Sequence, residues 1–219
     1  MNKGILATLR QIKLFFILYL ILLVACLVIK VMFTRQDIYF AVNGWHPGWA
    51  DALFPYITDL GNGWAVIILS AILALFNYRA AFLMATSWGV TSIVAQIIKH
   101  LVNAPRPKLF FHDQLSRIHF IKGLYMDRLG SFPSGHTVTA FSAAVVAAYL
   151  IKNKSWNVFF LLTAIIIGFS RMYLSEHFFE DVVGGSVTGV IITVIWLAWL
   201  DRKKFLHTAA WSRGLLMRR

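Results

Sequence analysis

The sequence predicts an all-α integral membrane protein with six transmembrane helices. Of its 219 residues, 59% are hydrophobic and only 14% are charged, whereas soluble proteins average about half apolar and a quarter charged residues. Apolar runs of roughly bilayer length recur along the chain, and most charged residues lie between these runs. The single cysteine, Cys26, excludes a disulfide framework.

The first predicted span, Leu14–Phe33, follows a basic N-terminus and is about as long as a bilayer core requires. No small-residue cleavage site follows it, so we expect a retained span rather than a signal peptide. The other five predicted spans are Leu60–Phe76, Ala80–Ile98, Thr137–Ile151, Trp156–Ser170 and Val182–Leu200. Several are shorter than the ~20 residues of an untilted span, so the prediction depends on their number and on the scarcity of charge within them. We expect one domain over residues 1–219.

The distribution of basic residues predicts the orientation of the bundle. With both termini in the cytoplasm, the inner segments hold twelve of the 21 Lys and Arg residues but only one of the nine acidic residues, Asp201. This asymmetry predicts that both termini are cytoplasmic. The positive charge is spread over short loops and a tail that face anionic lipid, and we find no nucleic-acid-binding motif. Nothing in the sequence indicates an obligate protein partner.

Two extramembrane segments stand out on the predicted outer side. Residues 37–59 mix aromatic and polar side chains, which fits a short helix in the membrane interface. Residues 99–136 form the longest loop, and long ordered loops tend to be functional. Scattered basic residues inside that loop lack metal-ligand spacing, and we expect them to form a solvated or headgroup-facing surface. They are His112, Arg117, His119, Lys122 and Arg128.

The stretch from Ser170 to Asp181 places polar residues between two long apolar runs. If the segment around His177 is helical, Asp181 lies one turn away on the same face. Its carboxylate can then hold one ring nitrogen of His177 and leave the other free as a nucleophile or base. Arg171 supplies a planar fork of donors that suits phosphate oxygens. The alternative interpretation of this stretch alone is a set of helix caps and ion pairs at a membrane surface.

A second polar motif, Pro-Ser-Gly-His at residues 133–136, precedes an apolar helix. Gly135 allows the backbone to approach a ligand closely, and the first amides of the helix form an anion site. Ser134 adds a hydroxyl group and His136 a titratable proton. Two further basic residues enter the same loop, Lys99 and Arg106. All three stretches fall on one side of the membrane, and together they suggest phosphoryl chemistry.

The pattern Lys99-x6-Arg106-Pro107, then Pro133-Ser134-Gly135-His136, then Ser170-Arg171-x5-His177-x3-Asp181 resembles the three signature motifs of the type 2 phosphatidic acid phosphatase (PAP2) superfamily. That superfamily includes membrane lipid phosphatases and, more distantly, vanadium haloperoxidases. No signature position departs from the pattern. The resemblance, to the bacterial membrane lipid phosphatase branch, implies a six-span bundle in the bacterial inner membrane. Its active site would lie at the outer membrane interface and face the periplasm or cell exterior. The resemblance does not cover residues 37–59 or the interior of the long loop, where we expect substrate choice to lie.

The resemblance also implies a role for each motif residue. His177 would attack phosphorus and become phosphohistidine, Asp181 would orient it, and His136 would protonate the leaving oxygen. The groups expected to neutralise the equatorial phosphate oxygens are Lys99, Arg106, Ser134, Arg171 and the amide of Gly135. No metal and no other cofactor is implied.

These roles predict a hydrolase that removes a terminal phosphate from a membrane lipid. The candidate substrates are undecaprenyl diphosphate, lipid A, phosphatidylglycerol phosphate and phosphatidic acid. One alternative is a phosphotransferase that passes the phosphate from the same histidine to a second lipid. A lipid transporter is disfavoured because the polar residues gather at one end instead of running through several spans. A haloperoxidase is disfavoured because that branch of the superfamily is soluble.

Overall fold

The structure, a computed structural model, describes residues 4–121, 123 and 127–216. These residues form ten α-helices and two short 3-10 turns, and they contain no β-strand. The helices are α1 (Ile5–Gln11), α2 (Lys13–Met32), α3 (Arg35–Asn43), α4 (Gly48–Asp59), α5 (Gly63–Phe76), α6 (Tyr78–Val102), α7 (Pro107–Phe110), α8 (Gly135–Leu150), α9 (Trp156–Tyr173) and α10 (Phe179–Leu200). The 3-10 turns cover His112–Arg117 and Lys204–His207. The prediction of an all-α membrane protein is confirmed.

Within the described residues, fewer helices are long enough to cross a bilayer than the six spans predicted. In the described part of the chain, four segments are long and apolar enough to cross a bilayer: α2, the segment from α6 to Phe110, α9 and α10. The bent pair α4 and α5, with 58° between its helices, would make a fifth. The remaining predicted span corresponds to α8, which is apolar but has only 16 residues.

Helix α8 lies at the centre of the bundle and not at its lipid-facing boundary. It packs against α6, α9 and α10, and most of its residues are buried. Gly189 lets α10 approach closely, since a Cβ there would lie 2.7 Å from the carbonyl oxygen of Val138. Thr193 of α10 also donates a hydrogen bond of 2.8 Å to Ser142 of α8. A helix enclosed by protein can carry Ser, Thr and Ala at positions where a lipid-facing helix needs large apolar side chains.

Helix α2 is the opposite case. Its apolar window has a mean hydropathy of 3.0, and only 11% of that window is buried. Two aromatic residues, Phe15 and Tyr19, face the bundle, and the hydroxyl of Tyr19 lies 3.2 Å from that of Ser186. The rest of the helix presents apolar side chains outward, as a helix at the lipid boundary must.

The structure corrects the predicted ends of several elements. Residues 37–59 contain two helices, α3 and α4, rather than one short interfacial helix, and α3 begins at a capping box of Thr34 and Asp37. Three predicted loop residues lie on helices: Lys99 in the last turn of α6, Arg171 in the last turn of α9, and Asp181 in the first turn of α10.

Candidate active site

A cavity of about 410 Å³ lies where the motif-bearing ends of α6, α8 and α9 meet. It contains every predicted site residue except Ser134 and Asp181, which lie behind its surface. The lining residues are Thr58, Asp59, Gln96, Lys99, Arg106, Asp127, Gly135, His136, Arg171, Leu174, Glu176 and His177. Residues from all three motifs therefore meet around one space.

His177 lies in a tight turn between α9 and α10, so the helical segment on which the predicted placement of Asp181 depends is not present. Helix α9 ends in a Schellman motif, because the amide of Ser175 bonds to the carbonyl oxygen of Met172 and the amide of Glu176 to that of Arg171. The amide of His177 also donates to Arg171, at 3.2 Å. Ser175 has a left-handed backbone with φ of 58°. This turn, not a helical repeat, carries His177 into the cavity.

Asp181 reaches His177 from the first turn of α10. Its Oδ2 lies 3.6 Å from Nδ1 of His177, which is ion-pair range rather than hydrogen-bond range. The same oxygen accepts hydrogen bonds from the amide of Phe178 at 2.8 Å and from the hydroxyl of Ser131 at 2.5 Å. Asp181 thus lies beside His177, as predicted, but within the described residues Nδ1 of His177 has no hydrogen-bond partner, and the role of Asp181 in orienting the ring stays a prediction.

Burial and nearby cations act together on the ring of His177. The side chain is 1% exposed, and burial lowers its pKa well below the ordinary value, with further lowering from Arg106, Arg171 and Lys99. The neutral imidazole, which carries the lone pair that a nucleophile needs, is therefore the favoured form.

Two arginines share one carboxylate beside His177. Nη1 of Arg106 donates to Oε2 of Glu176, and Nη2 of Arg171 lies 3.5 Å from the same oxygen. Arg171 also donates a hydrogen bond of 2.6 Å to the hydroxyl of Thr58. Arg106 is held further by Asp127, at 3.1 Å, and by the carbonyl oxygen of Leu129, at 3.2 Å. Both guanidinium groups are thereby fixed in orientation before any anion binds.

The charge of the lining is balanced rather than uniformly positive. Its basic side chains are Lys99, Arg106 and Arg171, and its acidic side chains are Asp59, Asp127 and Glu176. Anion binding here must depend on how the donors point, because the acidic residues cancel much of the field at a distance.

The start of α8 supplies both a cap and an open amide face. Ser134 is buried, and its Oγ accepts hydrogen bonds from the amide of Thr137 at 3.4 Å and from the Thr137 hydroxyl at 2.9 Å. The structure thus places Ser134 in the helix cap, and its phosphate-binding role stays a prediction. Gly135 lines the cavity, and a Cβ built on it would meet no atom within 4 Å. That space lets an anion approach the first amides of α8.

A groove of about 240 Å³ continues from the cavity along α6 and α8. The two spaces share Gln96, Lys99, Gly135 and His136, and the groove then extends to Trp88 on α6. Eleven residues of helix separate Trp88 from Lys99, or ~16 Å along the axis. The groove lies on the side of His136, whereas His177 and Arg171 line the cavity and not the groove.

Sequence reasoning missed several residues of the site, among them Thr58, Ser131 and Glu176. None stands at a signature position. Their roles depend on side chains brought from distant parts of the chain. The sequence gives one weak indication for Glu176, because its position directly before His177 places its carboxylate in the same motif as Arg171.

No group of three or more His, Cys, Asp or Glu side chains within residues 4–121, 123 and 127–216 is arranged as a metal site. Metal-independent catalysis stays a prediction.

The bundle and its cavity define a multi-span membrane protein with a cavity lined by basic and acidic side chains at one end. The chain belongs to the PAP2 superfamily, whose model matches residues 80–205. Phosphatidylglycerophosphatase B of Bacillus subtilis is 27% identical over 158 residues, which are 66% of this chain and 72% of that protein. Undecaprenyl-diphosphatase BcrC of Bacillus subtilis is 25% identical over 170 residues, 76% of this chain and 84% of that protein.

One solved structure extends the likeness to the fold. The crystal structure of a transmembrane PAP2-type phosphatidylglycerolphosphate phosphatase from Bacillus subtilis matches with a TM-score of 0.64 and 25% identity, over 89% of this chain and 98% of that one. The predicted family and the predicted class, a PAP2-type membrane phosphatase, are confirmed. The single-domain prediction for residues 1–219 stays a prediction.

Proposed function

We propose that this protein hydrolyses the terminal phosphate of a membrane lipid phosphate or diphosphate through a phosphohistidine at His177. The observation that carries the proposal is the arrangement of His177 and His136 with three cations around one cavity. The names of the relatives, a phosphatidylglycerophosphatase and an undecaprenyl-diphosphatase, support a lipid phosphate as the substrate.

The first step is displacement at phosphorus. Because Nδ1 of His177 faces Asp181, Nε2 attacks in line, a nitrogen–phosphorus bond forms, and the bond from phosphorus to the lipid oxygen breaks. Protonated His136 gives its proton to that oxygen. Burial and the cations Arg171, Lys99 and Arg106 lower the pKa of His136 to about 3, so the proposal requires the bound phosphate dianion to restore its protonated form. Arg106, Arg171 and the α8 amides neutralise the equatorial oxygens as charge moves through the transition state.

The second step returns the protein to its starting form. Water attacks the phosphorus of phosphohistidine, and neutral His136 takes a proton from that water. The nitrogen–phosphorus bond breaks, inorganic phosphate leaves, and His136 is again protonated.

The groove provides a place for the lipid. The leaving oxygen must lie near His136, and the groove begins at His136 and runs toward Trp88. The lipid part of the substrate therefore lies along α6 and α8, while the phosphate occupies the cavity. The candidate substrates are undecaprenyl diphosphate, lipid A, phosphatidylglycerol phosphate and phosphatidic acid, with undecaprenyl diphosphate placed first.

A lipid panel tests the proposal. Purified protein is given each of the four lipids in the same detergent, and released inorganic phosphate is measured with and without a second acceptor lipid. We expect phosphate release by the native protein and none by His177→Asn. Transfer to the acceptor lipid without phosphate release would instead identify a phosphotransferase.

The role of His136 is tested with two leaving groups. General acid assistance is commonly worth ~10²–10⁴ in rate, and a lipid alkoxide needs it whereas a nitrophenolate does not. His136→Ala should therefore lower kcat/KM, which reports the first step, far more for the lipid phosphate than for p-nitrophenyl phosphate, whereas hydrolysis of the phosphohistidine is common to both substrates. An equal fall in kcat/KM for the two substrates would assign His136 to binding.

We propose further that both termini are cytoplasmic and that the cavity faces the periplasm or cell exterior, as the basic residues indicate. In a Cys26→Ser background, Asp113→Cys and Asn153→Cys place single thiols at exposed positions of the predicted outer and inner loops. An impermeant thiol reagent should label the first variant in intact cells and not the second. The reverse pattern would overturn the orientation.

A further inference from the structure

The turn that carries His177 depends on an unusual residue. Ser175 occupies the left-handed position of the Schellman motif at the end of α9, with φ of 58°. Glycine is the residue that fits this position without steric cost. A serine held there, directly before Glu176 and His177, needs support from its surroundings.

That support comes from α3. Oγ of Ser175 accepts hydrogen bonds from the hydroxyl of Tyr39 and from Nδ2 of Asn43, each at 3.0 Å, and all three side chains are buried. Burial raises the pKa of Tyr39 to about 12, so its hydroxyl stays protonated and can donate.

The amide of Asn43 has only one possible orientation. Its Oδ1 accepts from the amide of His119 at 2.9 Å, and its Nδ2 donates to the carbonyl oxygen of His119 at 2.8 Å. Since a main-chain N–H can only donate and a carbonyl can only accept, the second Nδ2 hydrogen must point to Ser175. Asn43 thus joins α3, the long outer loop and the His177 turn.

His119 belongs to this connection and not to a solvated surface, which corrects the prediction for that residue. Its Nε2 lies 3.0 Å from Oδ2 of Asp51 on α4, and its ring stacks on that of His46 with 4.1 Å between centroids. The outer loop is therefore docked on the α3–α4 pair.

We propose that Tyr39 and Asn43 are positioning residues for the reaction, which act through Ser175 to set the place of Glu176 and His177. This inference rests on the proposed function for its kinetic consequence. Both residues lie outside the region that matches the family model, residues 80–205. The segment between the first two spans would then contribute to catalysis as well as to the membrane interface.

Kinetic measurements on four variants test the proposal: Tyr39→Phe, Asn43→Asp, Ser175→Ala and Ser175→Gly. Because a shift of about 1 Å can cost ~10²-fold in rate, we expect kcat to fall ~10- to 100-fold in the first three, with KM changed less than about threefold. Ser175→Gly should retain more activity than Ser175→Ala, because glycine keeps the left-handed turn. Tyr39→Phe combined with Ser175→Ala should be no slower than Ser175→Ala alone, because the hydrogen bond that Tyr39→Phe removes is already lost in Ser175→Ala.

Gln36→Ala is the matched control, since Gln36 lies exposed on the same helix. It should leave kcat unchanged. An equal fall in this control, or an unchanged kcat in both Tyr39→Phe and Ser175→Ala, would overturn the proposal. If Asn43→Asp fails to give a monodisperse protein, Tyr39→Phe and Ser175→Ala still decide, because each removes a single hydroxyl.

Amide hydrogen exchange separates this proposal from the proposed function. Exchange at residues 174–178 should rise at least about tenfold in Asn43→Asp and Ser175→Ala and stay unchanged in Gln36→Ala. This readout needs no activity. Absence of phosphatase activity in the unsubstituted protein would refute the proposed function. Unchanged amide exchange in Ser175→Ala would refute the positioning role.

Discussion

Ser131 donates a hydrogen bond of 2.5 Å to Oδ2 of Asp181, and both side chains are buried. The same carboxylate faces the imidazole of His177. Ser131 therefore holds Asp181, the residue expected to orient the nucleophile His177, through a side-chain hydrogen bond.

Ser131→Ala should lower kcat by roughly 10-fold on lipid and aryl phosphates alike, because an unfixed Asp181 no longer holds His177 in line. Steady-state kinetics with both substrates measures this. Ser142→Ala is the control, since it removes another buried hydroxyl of the bundle, one that bonds only to α10. A native kcat in Ser131→Ala would show that the amide of Phe178 is enough to fix Asp181.

Replacing Glu176 should strengthen phosphate binding but lower kcat. Glu176→Gln removes the negative charge that Arg106 and Arg171 share. The competitive inhibition constant of inorganic phosphate should therefore fall at least about threefold. The value of kcat should fall, because the guanidinium groups lose the partner that orients them. Competitive inhibition constants and kcat test the two halves. Weaker phosphate inhibition would show that Glu176 acts only as a scaffold for the arginines.

Thr58 offers an isosteric pair of variants. Its hydroxyl accepts the 2.6 Å hydrogen bond from Nη1 of Arg171. Thr58→Val removes that acceptor and should raise KM for the lipid several-fold, since Arg171 loses one of the partners that fix its orientation. Thr58→Ser keeps the hydroxyl and should behave as the native protein. Equal KM values in the two variants would remove Thr58 from the site.

Much of this site could be predicted from the sequence because the motif residues lie at the ends of apolar helices that meet on one side of the membrane. Hydropathy predicts a loop at Arg171 and Asp181, because charge ends an apolar run. In the structure α9 and α10 extend past that point, and both side chains are buried against polar partners. Thr58 could not be found, since its bond to Arg171 spans 113 residues. Helix α8 was predicted with nearly correct ends, but its central place follows from packing that hydropathy does not report.

The low pKa of His177 predicts the pH dependence. Burial and nearby cations lower this pKa, so His177 stays neutral at pH values below about 6.5, the ordinary pKa of histidine. With p-nitrophenyl phosphate, whose leaving group needs no proton, kcat/KM per dianion should stay nearly flat down to about pH 5.5. A histidine with an ordinary pKa would lose about tenfold there. An acidic limb centred near pH 6.5 that belongs to His177 would contradict the electrostatic account.

Trapping the phosphoenzyme tests the central claim most directly. Purified protein turning over a lipid with a radiolabelled terminal phosphate is quenched in alkali, digested and analysed by mass spectrometry. We predict an acid-labile, alkali-stable label on the peptide that contains His177, and none in His177→Asn. Steady release of inorganic phosphate with no label on His177 above the His177→Asn background would contradict the account, because water would then attack the lipid phosphate directly.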